Sequence, residues 1–204
     1  MADYLCLVRH GSTGSARAGR YLGSTDAPLD EAGRRQVEAL GELLRARRKC
    51  GRCVCSPLRR AAQTAEILRS ATGCVAEMVP DLREVDFGQW EGKMFSEIRD
   101  SSPEQVDRWA RFAPDFAFPG GESLRDFLDR VRRAADRLAA DEAETVLAVA
   151  HGGVIKAMLC HLLGLEASRY VVFEIAPASL TVVRLFEGKG VLSEMIRVEP
   201  PEPK

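Results

Sequence analysis

Apolar and polar positions follow two rhythms along the chain. Short, nearly continuous apolar runs at Tyr4 to Val8, Cys53 to Ser56, Val75 to Val79 and Thr145 to Ala150 predict strands. Between them, apolar residues recur every three or four positions. Val37, Leu40 and Leu44 predict an amphipathic helix from Glu31 that ends in the basic stretch Arg45 to Lys49, and Ala61, Ala65 and Leu68 predict another over Arg59 to Ala71. Leu124, Phe127, Leu128, Val131, Ala135 and Leu138 predict a long helix capped by Ser123, and a further helix is expected from Val154 to Leu163, ending at Gly164. Two strand-like runs about the turn Glu187 to Gly190 predict a hairpin at a sheet edge.

Strands alternating with helices imply an α/β fold whose mostly parallel sheet is covered on both faces, with an antiparallel strand at one edge. Between Phe87 and Gly121 the rhythm is lost. This stretch is irregular and aromatic, with Trp90, Phe95, Trp109, Phe112, Phe116 and Phe118, and it is too long for a plain connection. Residues 93–121 are therefore expected to form a small cap inserted in a single domain spanning 1–204.

The 204 residues carry a formal net charge of −1. With no global field to hold nucleic acid or an anionic membrane, any anion site must be local. The apolar runs are too short to span a bilayer, and the opening MADYLCLVRH has no basic segment before its apolar run, so a soluble cytoplasmic protein is expected. The sequence leaves the oligomeric state open. Cys50, Cys53 and Cys55 begin a thiolate metal pattern that no second cluster completes. Cys53 and Cys55 lie two apart in a predicted strand and share one face, so packing in the core is the expected role.

In parallel sheets the site lies beyond the carboxyl ends of the strands. Arg9 and His10 follow the first strand, Arg60 lies just after the second, and His151 follows the strand that ends at Ala150. Gly11 and the pair Gly152-Gly153 allow sharp turns there, the latter exposing N–H groups at a helix N-terminus that favours an anion. Two guanidinium groups, two imidazoles and a helix N-terminus suit a phosphoryl group better than a metal. The cationic neighbours of His10 and His151 disfavour a metal site, and His161, inside an apolar helix, is expected to be structural or at the surface. No cofactor is implied. One neutral imidazole can attack phosphorus, with the arginines balancing the charge of the transferring group. The leaving alkoxide needs a proton, for which Glu84 is the candidate donor and Asp86 its competitor; a phosphate dianion beside Glu84 favours the protonated acid.

The run Leu7-Val8-Arg9-His10-Gly11-Ser12-Thr13 resembles the signature of the histidine phosphatase superfamily, the phosphoglycerate mutase-like proteins. The resemblance extends through Gly23 to Leu29, Ser56-Pro57-Leu58-Arg59-Arg60-Ala61, Leu82-Arg83-Glu84, Trp90-Glu91-Gly92, Pro119 to Ser123 and Val149 to Gly153, in order. It implies a three-layer α/β/α sandwich, His10 as the phosphorylated nucleophile, Arg9 and Arg60 as phosphate clamps, Glu84 as proton donor and His151 as the second imidazole holding the phosphoryl group. Arg60 is chosen over Arg59 because the family's arginine directly precedes the alanine. Gly23 is carried over as a substrate-binding position. Ala16 stands where the family often has asparagine, so Arg17 or Arg20 is expected to supply the missing contact. The run Glu84 to Gly92 resembles the phosphatase branch, and Arg20 to Asp26 looks most like the α-ribazole phosphatase group. The implied partner is a small-molecule phosphomonoester. Two other classes compete: a non-catalytic phosphate-binding module, which needs neither His10 nor Glu84, and a thiol-metal or redox protein resting on the cysteines.

Overall fold

In the computed structural model, which describes residues 1–14, 19–47, 49–187 and 189–198, the first strand serves two cores at once. β1 (Tyr4–Arg9) sends Leu5 and Leu7 to one face and Cys6 and Val8 to the other, as the two-residue period of a strand requires. The chain continues through α1 (Glu31–Arg45), β2 (Arg52–Cys55), α2 (Arg59–Thr72) and β3 (Ala76–Met78). Two 3-10 turns, Pro80–Leu82 and Gly88–Trp90, lead into the short helices α3 (Phe95–Ser101) and α4 (Pro103–Ala110). Then come α5 (Leu124–Ala139), β4 (Thr145–Ala150), α6 (Gly152–Leu162), a 3-10 turn at Ala167–Val172, and the hairpin of β5 (Leu180–Phe186) and β6 (Lys189–Ile196).

Among the described residues the sheet has six strands in the order β3-β2-β4-β1-β5-β6. β3, β2, β4 and β1 run parallel, while β5 is antiparallel to both β1 and β6. The hairpin thus sits at the edge, and its outer strand returns to the direction of β1. α5 and α6 bury their apolar stripes with Leu5, Leu7, Val54, Val146 and Ala148, and α1 and α2 bury theirs with Cys6, Val8, Cys53, Cys55, Leu147 and Val149. The result is a three-layer α/β/α sandwich. Asp30 caps α1 through Gly33 N at 2.6 Å, and Ser123 caps α5 through Asp126 N at 3.0 Å, which fixes where each helix begins. Among the described residues no helix is long and apolar enough to cross a membrane.

The stretch expected to be irregular contains two helices, α3 and α4. Each is about two turns long, too short for a helical period to show in the sequence. Its aromatic residues divide by depth. Trp90, Phe116 and Phe118 are buried in the α5/α6 core and meet at angled ring contacts, with Phe116 and Phe118 centroids 5.0 Å apart. Phe87, Trp109 and Phe112 are half-buried and, with Tyr21, wall a cleft.

Candidate active site

Because β1 and β4 pair in parallel with Arg9 opposite Ala150, the residues that follow them emerge side by side. His10 N donates to Ala150 O at 3.1 Å, and the His10 and His151 ring centroids lie 5.1 Å apart with planes at 61°. β2 flanks β4 on its other side, where Ser56 N donates to Val149 O at 2.9 Å, and the first turn of α2 brings Arg60 to the same strand ends. His10, His151 and Arg60 are all buried.

Hydrogen-bond partners assign the protons of both rings. His10 Nδ1 lies 2.7 Å from Gly11 O, an acceptor, so Nδ1 carries the hydrogen and Nε2 keeps the lone pair. Burial, followed by the charges of Arg9 and Arg60, holds the His10 pKa well below 6.5 against a smaller opposing effect of the Gly11 carbonyl. Arg60 Nε donates to His151 Nδ1 at 3.2 Å, which places the ring hydrogen on Nε2, 2.8 Å from Ser56 Oγ. Burial, then His10 and the surrounding arginines, keep His151 neutral as well. In this tautomer both His151 nitrogens are engaged within the protein. It orients Arg60 and packs its ring against His10.

Arg60 is held from three sides, its Nη2 and Nη1 donating to Gly23 O at 2.6 Å and Thr25 O at 2.7 Å. Arg59 is exposed, and its backbone N–H donates to Asp26 Oδ1. Arg9 Nη1 donates to Ile175 O, while its buried Nε has no hydrogen-bond partner among the described residues. Glu84 Oε2 accepts from Gly153 N at 3.0 Å, at the N-terminus of α6. A Cβ at 153 would lie 2.5 Å from Glu84 Oε1, so a side chain there would have to displace the Glu84 carboxylate. Asp86 faces elsewhere. Its Oδ1 accepts from Ser24 Oγ and Gly88 N, both at 2.9 Å, and it does not line the cleft.

Of the three further expected ligands, the structure describes Gly23 and Arg20. Gly23 has its carbonyl on Arg60 and its N–H on the Glu91 carboxylate, and a Cβ there would lie 2.0 Å from Val85 O; it supports the clamp. Arg20 lines the outer cleft, where its Nη1 donates to Gly92 O at 2.7 Å and to Glu97 Oε2 at 3.2 Å. Arg17, like Ala16, lies outside the described residues. His161 is paired with Asp136 on the surface of α6 and α5, 2.6 Å away. Burial pushes the Cys53 thiol up to about 12, and Cys53 and Cys55 pack in the α1/α2 core.

Above the strand ends lies a cleft of ≈ 560 Å³, lined by Arg9, Glu84, Gly152 and Gly153 on the phosphoryl-facing side. The sequence profile of the histidine phosphatase superfamily (branch 1) matches residues 5–197. The chain belongs to this superfamily. It is 38% identical to a bifunctional protein of Mycobacterium tuberculosis over 89% of this chain and 50% of that one, and so spans about half the length of that relative. It is 31% identical to phosphoserine phosphatase 1 of Hydrogenobacter thermophilus, over 94% of this chain and 90% of that one. The crystal structure of the α-ribazole phosphatase from Shigella flexneri matches with a TM-score of 0.83 at 27% identity, covering 93% of this chain and 94% of that one.

In this histidine phosphatase fold two residues gain a supporting role that the sequence did not show: Glu91, placed there only in a motif, and Arg130. Glu91 gathers the backbone N–H groups of Gly23, Ser24 and Thr25 at 2.9–3.3 Å and fixes the loop that holds Arg60. Arg130, in α5, donates to Asp81 O, Arg83 O and Glu84 O while pairing with Glu122 at 2.6 Å, so it clasps the backbone that carries Glu84. Its signal was an arginine on an apolar stripe, three residues after Phe127 and four before Ala134.

Proposed function

We propose that the chain is a phosphomonoesterase acting through a phosphohistidine on His10. The observation that carries this reading is the lone pair of His10 Nε2, set by the Gly11 carbonyl beside the buried Arg60 and the half-buried Arg9. Nε2 attacks phosphorus; the P–N bond forms as the ester P–O bond breaks, and Glu84 gives its proton to the leaving alkoxide. Arg9 and Arg60 stabilise the charge on the transferring oxygens, a role for which no metal is invoked. Water then attacks the phosphohistidine, passes a proton to Glu84 and releases inorganic phosphate, leaving His10 neutral. A non-catalytic phosphate binder would need the arginines but not this nucleophile and acid.

Labelled substrate mixed rapidly and quenched in alkali should leave an acid-labile label on His10. Label on His151 or on a serine would overturn the assignment. Turnover should survive excess EDTA, and complete loss restored by a divalent ion would reject the metal-free mechanism.

A finer reading takes α-ribazole 5′-phosphate as the substrate. It is favoured by the half-buried rings of Tyr21, Phe87, Trp109 and Phe112, which offer aromatic surface to a base. On this reading kcat/KM for α-ribazole 5′-phosphate exceeds that for generic sugar phosphates at least about tenfold. Equal values would remove this substrate and leave the phosphatase standing.

A further inference from the structure

The peptide that fixes the His10 proton is itself held from behind. Its carbonyl, that of Gly11, accepts from His10 Nδ1 at 2.7 Å, and its N–H, that of Ser12, donates to Gln36 Oε1 at 3.0 Å. One peptide unit thus links the imidazole to a side chain of α1. Because the Ser12 N–H is a donor, the atom of Gln36 that meets it is the oxygen, which fixes the orientation of the side-chain amide.

Gln36 reaches Ser12 because the first turn of α1 lies flush against the loop after β1. A Cβ on Gly11 would lie 2.5 Å from Gly33 O, and one on Gly33 would lie 2.1 Å from Ser12 O. Gln36 follows Gly33 by three residues and shares its helical face. The loop is anchored without it. Asp30 N donates to Ser12 O at 3.0 Å, Ser12 Oγ donates to Asp30 Oδ2 at 2.9 Å, and Gly11 N donates to Thr64 Oγ1 at 3.2 Å. What the Gln36 bond adds acts on the one peptide that His10 uses. A peptide whose N–H is hydrogen-bonded has a more strongly accepting carbonyl, and here His10 and Ser12 are buried and Gln36 half-buried, which shelters the chain of bonds from water.

We propose that Gln36 is a positioning residue for the His10 nucleophile: it holds and polarises the Gly11–Ser12 peptide, so that the proton stays on Nδ1 and Nε2 keeps its lone pair. It stands to His10 as an orienting third group stands to the base of a catalytic triad, acting through a peptide rather than directly. The role rests on the phosphatase reading and holds for any phosphomonoester, α-ribazole 5′-phosphate included. As the P–N bond forms at Nε2 the ring becomes cationic while Nδ1 keeps its hydrogen, and the Gly11 carbonyl then accepts a charge-assisted bond. The support strengthens during transfer rather than on binding, so its loss falls on kcat.

The test compares the wild-type protein with Gln36→Leu, which removes the acceptor, and Gln36→Glu, which keeps it. Long-range proton–nitrogen NMR spectra read the tautomer of His10, one of three histidines in the chain. Wild type and Gln36→Glu should show Nδ1 protonated and Nε2 bare, and Gln36→Leu a mixture of the two tautomers. With p-nitrophenyl phosphate, kcat should fall about tenfold in Gln36→Leu, at an unchanged inhibition constant for inorganic phosphate, and recover to at least half its wild-type value in Gln36→Glu. A single His10 tautomer in Gln36→Leu, or a kcat within about twofold of wild type, overturns the proposal. A rise in the phosphate inhibition constant with kcat unchanged also overturns it, by making Gln36 a contact to the phosphoryl group instead. Should Gln36→Leu not fold, Gln36→Ala is held to the same readings. If the wild type hydrolyses no p-nitrophenyl phosphate, the phosphatase reading fails separately, and the tautomer spectra alone decide the role of Gln36.

Discussion

Arg60 Nε donates to His151 Nδ1 across 3.2 Å, tying the first turn of α2 to the residue that follows β4. Both side chains are fully buried, so the bond is sheltered from water, and it survives only while Nδ1 is unprotonated. The neutrality of the histidine pair is therefore part of the fold as well as a requirement of the proposed nucleophile.

That neutrality predicts a pH dependence of stability. His10 and His151 have folded pKa values well below 6.5, so as pH falls below about 6.5 the unfolded chain takes up protons that the folded chain does not. Their contribution is constant above pH 7 and turns destabilising between about pH 6.5 and the lower folded values, by up to about 1.4 kcal/mol per pH unit for each ring. Urea midpoints at pH 7.5, 6.5 and 5.5, compared between wild type and His151→Gln, read this directly. The variant should show the flatter slope, and identical slopes would refute the buried neutral ring.

Gly153→Ala should displace the carboxyl group of Glu84, whose Oε1 would lie 2.5 Å from the added Cβ. Turnover of alkyl phosphates, which need a proton on the leaving group, is expected to fall at least about tenfold, with a much smaller loss for p-nitrophenyl phosphate. Equal losses on both substrates would show that position 153 acts otherwise than through Glu84.

The two acidic residues of the 84–86 loop should separate cleanly. Glu84→Gln is expected to slow alkyl phosphates by about 100-fold, in line with the loss of a general acid. Asp86→Asn, whose native carboxylate is occupied by Ser24 and Gly88, should change the same rate less than about threefold. The reverse ranking would reassign the acid.

Arg130→Met removes a guanidinium that is 11% exposed from a pair with Glu122, itself 18% exposed, and frees three carbonyls. Leaving one partner of so enclosed a pair uncompensated should cost about 3 kcal/mol, measurable by urea unfolding. The double variant Arg130→Met/Glu122→Gln is expected to recover part of it. A loss below about 0.5 kcal/mol would mean that the clasp contributes no more than an exposed ion pair.

The strands, the long helices and the placement of Arg9, His10, Arg60 and His151 after strand ends were legible in the linear chain. Strand and helix periodicities are local properties of backbone geometry, and in a parallel sheet the residues after each strand gather at one edge. α3 and α4 were not legible, because two turns are too few for a period to emerge from Phe95 to Ala110. Nor were the partners that give the site its chemistry. The proton on His10 depends on the carbonyl of Gly11, and that on His151 on a guanidinium 91 residues away in sequence. The sequence named Glu84 as the proton donor with Asp86 as its competitor, but it did not show that Glu84 accepts from Gly153, 69 residues away, while Asp86 is taken by Ser24 and Gly88. Gly23 and Arg20 lie in a run that reads as ligand-binding, yet Arg60, Glu91 and Glu97, brought close only by the fold, take up their polar groups. Local periodicity depends on near neighbours and survives in the sequence. Tautomer, charge state and free hydrogen-bonding capacity depend on which distant side chains arrive within about 3 Å, and only the tertiary structure decides that.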